Sequence, residues 1–218
     1  GNENSFTYQV KLIQYFDCAQ TENPGPDNLI TYSIFRKSDG QFMREETMFI
    51  TNQEFVPYTN PDCAVGFMCT LKVEYSHEIT LDPEIFNDPD GYAIVWERCC
   101  RNWDTKNLIN PGWNGMTYIL YFPPVVDQNG DPFVNSSPKL FPPLSDYACV
   151  NQLFYIDFAG TDDDGDSIVY SLAAPLDDKQ ENNSNIVALP PSTPPPHPIV
   201  DFAPGYDLAT MIPGDPSL

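Results

Sequence analysis

Apolar residues recur along this chain at every second position, as in Phe6, Tyr8, Val10 and Leu12 and again in Leu71, Val73 and Tyr75. That period turns one face of an extended strand toward a core and the other toward water. The same alternation marks Ile30-Tyr32-Ile34, Tyr92-Ile94-Trp96, Met116-Tyr118-Leu120-Phe122 and Ile168-Tyr170-Leu172, each bounded by Gly, Pro, Asn or Asp. Helical periodicity is nearly absent, and Asp39-Gly40 within KSDGQ supplies a hairpin turn between two such runs. Many short strands with turn punctuation predict an all-β chain, a β-sandwich of Ig-like form.

Prolines and small polar residues in NSSPKLFPPLSDYACVNQ (135–152) mark a composition shift. It predicts a disulfide-bonded sandwich over 1–143 and a second β module over 144–218. That second part holds two strand-like runs, the proline-rich PPSTPPPHP (190–198) and a short strand around Ile199 to Phe202. An Ig-like sandwich takes about seven strands, so the module is expected to be incomplete and the chain to continue past Leu218. Its start at Gly1, without methionine or apolar leader, fits a mature secreted protein and equally a fragment.

Charge narrows the partners. Lys and Arg number 10 against 31 Asp and Glu, a formal net charge of −21, which repels a phosphate backbone and makes nucleic acid an unsuitable partner. Cations are the natural counter-ligands. The longest near-continuous apolar run, Tyr118 to Val126, is interrupted by Pro123 and Pro124 and falls short of the roughly 18 to 20 residues of a membrane span, so no insertion into a membrane is expected.

Six cysteines, Cys18, Cys63, Cys69, Cys99, Cys100 and Cys149, together with two Asn-x-Ser sites, point to an oxidising, extracellular compartment. Cys63 and Cys69 are close enough to close a small loop. Cys99 and Cys100 at a strand end point to opposite faces and are expected to take different partners, with Cys18 and Cys149 as the candidates. Zinc, with His77 as a further ligand, is the competing reading, but the spacing matches no paired Cys-x2-Cys knuckle.

Catalysis finds little support. The histidines, His77 within a strand and His197 among prolines, sit beside no Ser or Cys in a nucleophile motif, and carboxylates are too abundant for any pair to single out sugar hydrolysis. The chain therefore reads as a non-enzyme. Trp103 and Trp113, in NWDTKNLINPGWNG (102–115), either cover the end of the sandwich or stack on a sugar ring.

The densest charge lies in TDDDGDSIVYSL (161–172). An EF-hand counted from Asp162 would need Gly and Glu where Ser167 and Ala173 stand, so that motif fails. Asp162, Asp164 and Asp166 can still converge on one side of a turn and offer calcium hard oxygen ligands, with Gly165 permitting the tight backbone. Further ligands are expected from DPDG (Asp88, Asp90) or DQNGD (Asp127, Asp131).

FAGTDDDGDSIVYSL (158–172) resembles the opening strand of cadherin-like tandem repeats, apart from one inserted residue after Ala159. The succession YQVKLIQYFDC (8–18), ERCCRN (97–102), NSSPKLFPP (135–143), Cys149 and the Asp-rich strand, and more loosely PGYD (204–207), is similar to the N-terminal region of very large Bacteroidota surface proteins with gliding-motility-associated C-terminal sorting domains, a class that includes giant gliding adhesins. The resemblance implies type IX secretion, a place on the outer cell surface, and a role in adhesion or gliding. Its implied partners are further modules of the same long chain, the outer-membrane secretion and motility machinery, and surface polysaccharide. Asp162, Asp164 and Asp166 carry over, and no catalytic residue does. A polysaccharide-binding or polysaccharide-degrading module and a structural subunit of the secretion apparatus are the alternatives.

Overall fold

The computed structural model describes residues 6–19, 25–58, 69–140, 152, 159–178 and 192–210. Among them the chain is all-β: β1 (Thr7–Asp17), β2 (Leu29–Arg36), β3 (Phe42–Phe55), β4 (Thr70–Thr80), β5 (Tyr92–Cys99), β6 (Gly115–Phe122), and the short β7 (Lys139–Leu140) and β8 (Gly160–Thr161). The first six form one curled antiparallel sheet in the order β1-β4-β3-β2-β5-β6, a sandwich-like arrangement. The Asp39-Gly40 hairpin forms, with Arg36 N–H donating to Gln41 O and Gly40 N–H to Arg36 O, both at 2.9 Å. Arg36 also grips Asp39, and this hydrogen bond, with one from Gln41 N–H, lowers the Asp39 carboxyl to about 2.

Two compact units are each assembled from three separated segments. The first is Gly1–Ile30, Met48–Leu81 and Pro132–Val169; the second is Thr31–Thr47, Asp82–Asp131 and Tyr170–Leu218. Strand pairing joins segments far apart in the chain, as β1 with β4 does. Residue 144, the expected boundary, lies outside the described residues.

In the first unit β1 and β4 pair along their whole length, from Thr7↔Thr80 to Asp17↔Thr70. The β3/β4 register shifts between Ile50 and Asn52, and Thr51 Oγ1 donates to the Glu74 carbonyl at 3.1 Å beside that bulge. Val73 and Tyr75 are fully buried, as their alternation predicts. The Tyr75 hydroxyl donates to Asp27 O at 2.7 Å, and burial pushes this phenol up to about 12.

In the second unit β5 is buried on both faces: Tyr92, Ala93, Val95, Trp96 and Glu97 are all buried. Phe35, Ala93 and Val95 cluster, with Ile119 of β6 against them. Over Thr117–Leu120 the β6 alternation is therefore inverted relative to expectation. Thr117 is buried while Tyr118 and Leu120 are exposed, because β6 contributes to that cluster through the polar-looking phase of its sequence. Segments beside β6 close the unit through isolated bridges, Thr117↔Leu176 and Leu176↔Ile199.

The run Ile168-Tyr170-Leu172 forms no strand, and Val169, Tyr170 and Leu172 are exposed. Alternation states which face a strand could bury; it does not supply a neighbouring strand. The expected strand around Ile199 to Phe202 is likewise reduced to isolated bridges at those two residues.

Candidate functional site

The aspartate-rich turns share one geometry. In Asp162–Asp166 the Asp162 Oδ1 accepts N–H bonds from Asp164 (2.9 Å) and Asp166 (3.2 Å), and Asp162 O accepts from Gly165 at 3.4 Å. In Asp127–Asp131 the Asp127 Oδ1 accepts from Asn129 (2.8 Å) and Asp131 (2.9 Å), and Asp127 O from Gly130 at 3.1 Å. Both glycines have positive φ, 83° and 85°, a conformation that costs glycine nothing. The leading aspartate thus serves as a side-chain cap for its own turn. The backbone N–H groups of Asn129 and Asp131 hold the Asp127 carboxyl below its usual range.

Neighbours answer more of the negative charge. Within the first unit Asp163 pairs with Lys139, and Asp164 accepts the Ser136 N–H. Within the second, Asp88 accepts from Ser38 Oγ (2.7 Å) and Asp90 N–H (2.9 Å) and faces Arg36 at 3.7 Å. Among the described residues no three His, Cys, Asp or Glu side chains are grouped so as to hold a metal ion.

The cysteines pair differently from expectation. Cys18 is bonded to Cys69, with Cα atoms 4.9 Å apart. The two residues extend the β1/β4 register by one position beyond Asp17↔Thr70, and Cys18 N–H donates to Cys69 O at 3.0 Å. Cys69 is therefore not the partner of Cys63, since the ladder sets Cys18 opposite it. Cys99 and Cys100 are joined to each other across a cis peptide bond, so neither takes Cys18 or Cys149, and the opposite-face argument for ordinary strand geometry does not apply to them. Cys63 and Cys149 lie outside the described residues.

Trp103 and Trp113 are largely exposed and stand together. They are 65% and 62% exposed, with ring centroids 5.7 Å apart and planes at 79°. Trp113 ends the 3-10 turn Pro111–Trp113, and the Trp103 ring lies directly on Gly112.

A buried polar cluster escaped the sequence reading. His197 Nε2 lies 2.9 Å from Glu97 Oε1, and neither side chain is more than 2% exposed. Thr193 Oγ1 donates to Glu97 Oε1 at 3.0 Å and also lies 3.0 Å from His197 Nε2, while the Thr193 N–H donates to Glu97 Oε2. Burial by itself raises the Glu97 carboxyl, but hydrogen bonds from His197 and Thr193 outweigh it and hold the group below its usual range. With Ser192 N–H donating to Ser33 Oγ at 3.1 Å, the cluster pins residues 192–197 onto β2 and β5. The signal in the sequence was YAIVW, an unbroken apolar run of two-sided burial that leads straight into Glu97 and obliges it to find a partner.

Comparison of the chain with protein-family models, characterised proteins and solved structures found no match to any of them.

Proposed function

We propose that the chain is a non-enzymatic extracellular segment of a large cell-surface protein serving adhesion or movement over surfaces. The Cys18–Cys69 bond carries the reading: a disulfide at the end of a paired ladder suits an oxidising compartment, whereas structural disulfides are rare in reducing ones. The net charge of −21 favours solubility and cationic counter-ligands over nucleic acid. The resemblance to gliding-associated surface proteins adds type IX secretion, further modules of the same chain and the outer-membrane machinery as partners.

Calcium at Asp162, Asp164 and Asp166 belongs to the same proposal. It rests on the density of hard oxygen donors within one turn and on the preference of Ca²⁺ for flexible oxygen sites.

The test is surface proteolysis of intact cells followed by peptide mapping without reduction. Release of peptides from this chain, with Cys18 linked to Cys69, is the expected result. Recovery from the cytosolic fraction with reduced thiols overturns it.

A further inference from the structure

The geometry points to Trp103 and Trp113 as a preformed platform for neutral polysaccharide, a proposal that deepens the adhesive reading by naming its ligand. Large aromatics are mostly buried at least in part, and the third tryptophan, Trp96, is 4% exposed. Keeping two of the three in water forgoes a large share of the stabilisation that their burial would give.

The exposure is held in place. Across the loop Arg101 N–H donates to Asn114 O (3.1 Å), Trp113 N–H to Asn110 O (2.9 Å), and Asn114 Nδ2 to Ile109 O (3.1 Å). Ile109 N–H donates to Asp201 O (2.9 Å) and Ala203 N–H to Asn107 O (3.0 Å), which ties the loop to the chain beyond the proline-rich strap. Gly112 lets the backbone pass directly beneath the Trp103 ring, where any Cβ would collide with the indole. Rings fixed before binding lose little conformational freedom when a ligand arrives.

The surroundings select the ligand. The two planes meet nearly at a right angle, a corner that offers an apolar wall to the C–H face of one pyranose ring and an edge to its neighbour. In the same loop, beyond the 43%-exposed Ile109, Asp104 and Lys106 are 75% and 82% exposed and 3.8 Å apart. These are partners for hydroxyl groups. A protein interface would instead want a continuous apolar core with a depleted charge content. The chain's net charge of −21 disfavours anionic glycans.

The test is affinity electrophoresis of the whole chain through gels containing neutral β-glucan, xylan or mannan, with tryptophan fluorescence as the second readout. Retardation in at least one polymer is expected, with a blue shift on binding. Trp103→Ala and Trp113→Ala should each weaken retention at least tenfold, while Trp103→Phe and Trp113→Tyr keep part of it. Gly112→Ala, which displaces Trp103 without deleting it, should also weaken retention. Melting curves and disulfide maps identify any variant that has lost its fold; for such a variant the aromatic replacement at the same position decides. Migration unchanged by every polymer, or alanine variants that fold and bind like the parent, overturns the proposal. Either failure leaves the compartment reading intact, because peptide mapping tests that separately.

Discussion

Glu97→Ala removes the acceptor for His197 Nε2, Thr193 N–H and Thr193 Oγ1 together. The Glu97 and His197 side chains are closed to water, so no solvent replaces the bond between them. Breaking a buried, hydrogen-bonded pair from one side costs about 3–5 kcal/mol. For a chain of this length that corresponds to a melting temperature lower by about 10 °C. Glu97→Gln keeps the volume and one acceptor oxygen and should cost only about 1–2 kcal/mol. Urea unfolding followed by tryptophan fluorescence reads both, since Trp96 adjoins Glu97 and is buried. A double-mutant cycle with His197→Ala isolates the pair, and a coupling well above about 0.5 kcal/mol is expected. The pH dependence has a definite sign. The folded-state carboxyl is depressed, so its contribution is complete above the unfolded value of about 4.3 and is lost as pH falls through the lower folded value. The parent should therefore lose more stability between neutral and acidic pH than Glu97→Gln does. Additive single mutants, or acid profiles that coincide, would refute the view that this pair pins the strap.

Replacing Cys18 and Cys69 together by serine opens a loop of 51 residues' separation, for which the chain-entropy relation gives about 4 kcal/mol of lost stability, measured by denaturant unfolding. Millimolar calcium should raise the melting temperature and EDTA lower it, with the difference shrinking in Asp164→Ala; coincident curves refute the calcium proposal. Gly91 turns the chain into β5 with φ +76°, and a Cβ there would meet the Phe122 carbonyl. Gly91→Ala should accordingly cost about 2 kcal/mol in the same unfolding assay.

Alternation and turn residues were enough to locate β1, β2, β4, β5 and β6 and the Asp39-Gly40 hairpin, because those signals act within a few residues of chain. The acidic turns were also visible as unusual, although their closure by Asp127 and Asp162 side chains was not. The tertiary structure decided what depends on a distant partner. It decided that β6 buries Thr117 and packs Ile119 while exposing Tyr118, and that Ile168 to Leu172 stays unpaired. It also decided that the ladder brings Cys18 to Cys69, and that Glu97 meets a histidine from the proline-rich segment 100 residues further along. A local pattern encodes which side chains are fit for burial. Register and the path of the connecting chain determine against what they are buried, and those are fixed by contacts between segments that no short window of sequence contains.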